Sequence, residues 1–184
     1  ELPRALGHVW QDEFTVESRA LIQATGRCSG RFIRQSVLND FVISRGHTPR
    51  LTELEVSVDH HPLTRYRCDG LIVSSPTGST AYSLAAGGAV VSPTAEVFAL
   101  TPICPHTLSN RSVIVSLDSA IQVKVMNPRP ETILSADGQV INELAEGDVI
   151  TIRRSQKSVR LVHLAGTSFF DTLRRKLHWR GASV

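Results

Sequence analysis

Short apolar, β-branched runs recur along the chain at Ser36-Val37-Leu38, Phe41-Val42-Ile43, Leu54-Glu55-Val56-Ser57-Val58, Leu71-Ile72-Val73, 112–115 and 121–125. Each is too short for a typical helix. In Ile121-Gln122-Val123-Lys124-Val125 and Val149-Ile150-Thr151-Ile152-Arg153 apolar and polar residues alternate, so one face of each segment is apolar and the other polar, as in a half-buried strand. Turn signals stand between the runs: Ser44-Arg45-Gly46, Asp69-Gly70, Asn127-Pro128, Asp137-Gly138 and Glu146-Gly147-Asp148. Helix is scarce. One is expected over 168–179, where Phe169, Phe170, Leu173 and Leu177 fall near helical spacing behind a Ser168-x-x-Asp171 start, and a short one after Thr80, ended by Gly87-Gly88. The pattern predicts a mainly β fold, most simply a β-sandwich whose long polar loops carry the site, in a single domain over 1–184 with no internal repeat.

Composition narrows the partners. With 184 residues, 41% of them hydrophobic, the chain can bury roughly 70% of its unfolded surface and form a core of its own. A formal charge of +3, with no basic run longer than Arg174-Arg175-Lys176, suits an anionic ligand. Nucleic acid is not expected as a partner, because no basic face is concentrated and the ten aromatic residues are scattered. Cys28, Cys68 and Cys104 are odd in number and widely spaced, which argues against a disulfide framework or structural zinc. His60-His61 reads as a solvated loop, since adjacent residues of an extended segment point to opposite faces. No apolar run reaches the ~20 residues that span a bilayer and no signal segment opens the chain, so the expected compartment is the cytoplasm. Because Glu1 is not a methionine, the chain is expected to be a fragment or a processed product.

The most informative stretch runs from Asp69 to Tyr82. An apolar strand, Leu71-Ile72-Val73, delivers the chain into Ser74-Ser75-Pro76-Thr77-Gly78-Ser79-Thr80, a loop dense in hydroxyls that then enters the short helix. Unpaired backbone N–H groups and hydroxyls at such an end suit phosphate or ribose; a capped turn with no ligand would have the same composition. No phosphate loop of the G-x-x-x-x-G-K-[ST] type and no G-x-G-x-x-G fingerprint is present, and Ser79 lacks the frame of a hydrolase nucleophile. Asn39-Asp40 interrupts an apolar strand, so the pair either makes a turn or hydrogen-bonds a polar ligand. Arg67 and Asp69 pose the same choice between an ion pair and ligand contacts. Asp137-Gly138 reads as a hairpin turn.

With these residues in view, the chain resembles the C-terminal domain of bacterial NAD kinases, within the NAD kinase/diacylglycerol kinase-like fold. The resemblance rests on the glycine- and threonine-rich stretch 69–88, on Pro102-Ile103-Cys104-Pro105-His106 through Arg111, and on the closing Ser168-Phe169-Phe170-Asp171-Thr172-Leu173-Arg174-Arg175-Lys176-Leu177-His178-Trp179, all in family order. It implies transfer of the γ-phosphoryl group of ATP, with a divalent metal such as Mg, to the 2′-hydroxyl of the adenosine ribose of NAD, giving NADP. It also implies a homo-oligomer, dimer or tetramer, assembled through this domain.

By the same resemblance, Asn39 stands at the first position of the family's Asn-Glu pair, and Asp40 stands where glutamate is usual, with its carboxylate drawn back by one methylene. Arg67 and Asp69 fall on dinucleotide-contacting positions, and Thr77, Thr80, Ala81, Tyr82 and Ala85 on the adenine- and nicotinamide-binding loop. Arg50 and Gln139 align with peripheral contacts. The family's Gly-Gly-Asp-Gly motif, whose aspartate is implied to act as the base in an N-terminal α/β domain, occurs nowhere in these residues, so no catalytic residue is expected here and the isolated chain is expected to be inactive. The alternative is a non-catalytic nucleotide-binding or sensing module.

Overall fold

The computed structural model describes residues 2–47, 50–106, 111–126, 132–164 and 168–179. The Asn127-Pro128 turn signal and residues 107–110 of the second motif lie outside them. Contacts divide the chain into two compact units, Ala20–Ser158 and a smaller one of Glu1–Arg19 with Val159–Val184.

The larger unit is built on two antiparallel six-stranded sheets. The first has the order β2 (Arg31–Val37), β1 (Phe14–Cys28), β12 (Val149–Leu164), β9 (Ile121–Val125), β4 (Thr52–Val58), β5 (His61–Cys68). The second has the order β11 (Gln139–Leu144), β10 (Thr132–Ala136), β3 (Asp40–Arg45), β6 (Gly70–Ser74), β7 (Val97–Ile103), β8 (Val113–Ser116). Alternate residues of both sheets form one core: Ile22 and Ala24, Leu54 and Val56, Ile121, Val123 and Val125, and Ile150 and Ile152 from the first, with Phe41 and Ile43, Leu71 and Val73, Phe98 and Leu100, and Leu134 from the second. Burying each large apolar side chain contributes about 1.5–3 kcal/mol. The expected mainly β, sandwich-like fold is observed.

The two kinds of apolar pattern have different structural causes. In β9 and the start of β12 only one face is covered, hence the alternation. Along β6 all five residues are buried, and in β3 residues 40–43 are, because a 3₁₀ turn (Thr77–Thr80) and α2 (Tyr82–Ala85) pack on β6 on the face away from the core. Val42 and Ile72 are therefore buried without belonging to the central cluster.

β1 and β12 run for 15 and 16 residues, far beyond what their apolar residues announce. Backbone pairing, not side-chain pattern, carries these strands through their polar halves. The Asp137-Gly138 hairpin forms between β10 and β11 with both residues left-handed, φ 45° and 80°, as a two-residue primed turn requires. His60 lies in an exposed turn and His61 opens β5 in solvent.

The smaller unit contains α1 (Leu2–Trp10), which the sequence reading did not anticipate, and α3 (Phe169–Lys176). Leu2, Leu6, Val9 and Trp10 make a helical stripe on α1, yet all are exposed. α3 begins as expected: the Ser168 hydroxyl oxygen accepts from the Asp171 N–H at 3.0 Å. It ends at Lys176, and Leu177 closes it, so the helix is shorter than 168–179. Arg19, nearly buried, donates to Glu17 at 2.7 Å, while its Nε and Nη1 have no partner among the described residues. No helix among the described residues is long and apolar enough to cross a membrane.

Candidate functional site

The loop after β6 folds back on itself instead of opening a free helix end. Ser75, Ser79 and Ser83 are buried, and the protein satisfies their hydroxyls internally. Ser75 donates to the Leu38 carbonyl at 2.5 Å and accepts from the Gly78 N–H at 3.1 Å. Ser79 both donates to the Val91 carbonyl and accepts from its N–H, at 3.2 and 3.0 Å. Ser83 meets Thr101 at 2.9 Å. Thr80 donates to the Thr77 carbonyl at 3.3 Å within the 3₁₀ turn. The hydroxyl density read from the sequence thus serves mainly to fix the loop, and the surface it presents outward is Ala81 and the half-exposed ring of Tyr82. Gly87, φ 83°, ends α2 in the left-handed conformation.

Against this loop sits the turn that joins β2 to β3. The Ser75 N–H donates to the Asn39 carbonyl at 2.8 Å. On the other side the Asp137 carboxylate accepts from the N–H groups of Leu38, Asn39 and Asp40 at 3.0, 2.9 and 3.1 Å. The Asn39-Asp40 pair therefore does make a turn, and it also lines a pocket. That pocket, of about 410 Å³, is walled by Asn39, Asp40, Val42, Ser44, Ala81, Tyr82, Ser135, Asp137 and Gly138. Burial, then the negative charge of Asp137, pushes the Asp40 carboxyl up to about 6. Ser74, the cross-strand partner of Asp40, has a buried hydroxyl with no partner among the described residues.

Of the residues singled out in the sequence, Asn39, Asp40, Ala81 and Tyr82 come together in this pocket. Thr77 and Thr80 lie in the adjoining 3₁₀ turn, Ala85 closes α2, and Gln139 opens β11 directly after the Asp137-Gly138 turn. Asp69 stands at the other end of β6, next to Gly70, the cross-strand partner of the pocket residue Ser44, and Arg67 lies near the end of β5; neither lines the pocket. Asp69 accepts from Arg45 Nε at 2.7 Å, whereas Arg67 is exposed and lends its carbonyl to the His106 N–H at 2.9 Å. Arg50 is exposed and outside the pocket. Asp137, Ser135, Val42 and Ser44 were not singled out as site residues. Only the β10–β3 register, which sets Ser135 opposite Val42, brings them to it.

Among the described residues no group of three or more His, Cys, Asp or Glu side chains is arranged to hold a metal ion.

Comparison with known proteins gives the family of the chain. The ATP-NAD kinase C-terminal domain family matches residues 38–164. The NAD kinase of Magnetococcus marinus is 42% identical over 175 residues, covering 95% of this chain and 58% of that protein. The NAD kinase of Symbiobacterium thermophilum is 46% identical over 173 residues, covering 94% and 61%. The chain thus spans about three fifths of the length of these relatives. Among solved structures, yeast NADH kinase complexed with NADH superposes with a TM-score of 0.90 at 29% identity, over 99% of this chain and 56% of that one. An Archaeoglobus fulgidus NAD kinase in complex with ATP gives 0.76 at 28% identity, over 97% and 66%.

Proposed function

Because this chain belongs to the ATP-NAD kinase C-terminal domain family, we propose that it is the dinucleotide-binding part of an NAD kinase, which phosphorylates the 2′-hydroxyl of the adenosine ribose of NAD with ATP to give NADP. The observation that carries the proposal is the pocket in which Asn39 and Asp40 face Ala81 and Tyr82. It combines an aromatic ring able to stack on a base, an amide able to donate and accept, and carboxylates able to accept from ribose hydroxyls. Thr77, Thr80, Ala85 and Gln139 border it and complete the proposed contact surface. Arg50, Arg67 and Asp69 belong to the proposal through the family resemblance.

In this reading the chain binds and orients the dinucleotide. The base that accepts the 2′-hydroxyl proton, and the loop that holds ATP, are supplied by sequence outside these residues, where the resemblance places Gly-Gly-Asp-Gly. The divalent metal enters with the nucleotide triphosphate as part of the substrate. The three free thiols fit the cytoplasm, the proposed compartment. Self-association through this domain is part of the same proposal and is read by light scattering.

Calorimetric titration of the chain with NAD and NADP, with ATP alone as control, tests the reading. Saturable dinucleotide binding that Asn39→Ala weakens is the expected result. Equal binding by the variant removes the pocket from the proposal, and vigorous NADP formation by the chain alone overturns the division of labour.

A further inference from the structure

We propose that Asp137 is a positioning residue for dinucleotide recognition, whose carboxylate, at the tip of the β10–β11 hairpin, holds the Asn39-Asp40 turn in the form that the pocket requires. The inference rests on the reading of this pocket as the dinucleotide site.

Every N–H of residues 38–40 goes to the Asp137 carboxylate, Leu38 to Oδ2 and both Asn39 and Asp40 to Oδ1. Each carbonyl also has a partner: that of Leu38 accepts from the Ser75 hydroxyl, that of Asn39 from the Ser75 N–H, and that of Asp40 from the Asp137 N–H at 3.1 Å. The segment is thus gripped by a serine on one side and a carboxylate on the other. Three convergent N–H donors make a small positive nest, which one carboxylate neutralises with charge-assisted bonds.

Turn chemistry alone does not require an aspartate here. Position 137 is left-handed and is followed by Gly138, and in such a hairpin asparagine serves at least as well. What asparagine lacks is the second anionic oxygen. Its NH₂ group would face an N–H donor where Asp137 offers an acceptor. Asp137→Asn therefore separates the two roles: the hairpin remains and the clamp is lost.

The clamp also acts on Asp40, whose buried carboxyl feels the Asp137 charge directly. Of the residues that wall the pocket, Asp40, Asp137 and Tyr82 are the titratable ones. Removing the Asp137 charge lowers the Asp40 midpoint, which reports the charge, whereas the amides of residues 38–40 report the clamp.

The experiment compares wild type, Asp137→Asn and Asp137→Ala as the full 184-residue chain. In the free protein, amide NMR of residues 38–40 and the carboxyl titration of Asp40 are recorded; calorimetry then gives the affinity for NAD. For Asp137→Asn the expected results are a near-native thermal midpoint, displaced amide signals at 38–40, an Asp40 midpoint moved down from about 6, and at least tenfold weaker NAD binding, with Asp137→Ala at least as impaired. Wild-type NAD affinity in Asp137→Asn, or unmoved amide signals at residues 38–40, overturns the role of Asp137. Failure of the wild type itself to bind NAD, with the displaced amides still seen, instead overturns the reading of the pocket while leaving the clamp in place.

Discussion

Gly78 lies so close to Asn39 that a Cβ on it would overlap the Asn39 carbonyl oxygen and carbon and its Cα. The 3₁₀ turn and the β2–β3 turn are thereby in backbone-to-backbone contact, which only glycine permits at this position.

Gly78→Ala is expected to push the two turns apart, because the atoms it meets are backbone and cannot swing aside. A loss of about 1–3 kcal/mol in urea unfolding is expected, with weaker NAD binding, since Asn39 and Tyr82 would no longer face one another at the same separation. Unchanged stability would mean that the loop relaxes freely, contrary to its internal hydrogen bonding.

Asp40 makes stability depend on pH in a definite direction. Its folded pKa is raised from 3.8 to about 6, so its favourable contribution is fully present below about pH 4 and is lost as pH rises through about 6. Wild type should therefore gain up to about 3 kcal/mol relative to Asp40→Asn between pH 7.5 and pH 4. Urea titrations of both proteins across that range check it; parallel curves would show that Asp40 titrates normally.

Tyr82 is 48% exposed, and its ring forms part of the pocket wall. Tyr82→Ala is expected to weaken NAD binding by about 1 kcal/mol, roughly fivefold, while leaving thermal stability nearly unchanged. A large fall in the unfolding midpoint with unaltered affinity would instead mark the ring as packing.

The cysteines should differ sharply in reactivity. Burial pushes the Cys28 and Cys68 thiols up to about 11 and about 12, while Cys104 is exposed. A thiol reagent at pH 8 should modify Cys104 alone in the native chain and all three after unfolding, as read by mass spectrometry. Rapid native labelling of Cys28 or Cys68 would contradict the closed core.

Local features were legible wherever neighbouring residues decide the outcome. The alternation in 121–125 marked β9, the paired left-handed residues Asp137 and Gly138 made the expected hairpin, and Ser168 caps α3. Within the site, Asn39, Asp40, Ala81 and Tyr82 were identified through the family resemblance, and the fold gathers them in one pocket. The stripe of α1 escaped notice although its spacing is helical, because four apolar residues near a chain end are a weak signal. The full length of β1 and β12 was not legible, because their outer parts alternate only briefly, Phe14 and Val16 in β1 and Val159 and Leu161 in β12, and the polar stretch 153–158 of β12 is held by strand pairing.

The amino-acid sequence by itself determined the β character of this protein, its turns and its family, because periodicity, turn chemistry and motif order are properties of adjacent residues. The tertiary structure alone decided which polar groups face inward to the protein and which face the pocket. The loop hydroxyls of Ser75, Ser79 and Ser83 proved to be structural, and Asp137, read as a turn residue, reached three N–H groups almost a hundred positions earlier in the chain. The physical reason is that a buried polar group takes whichever partner the strand register brings within hydrogen-bonding distance, and that register is set by the packing of both sheets together.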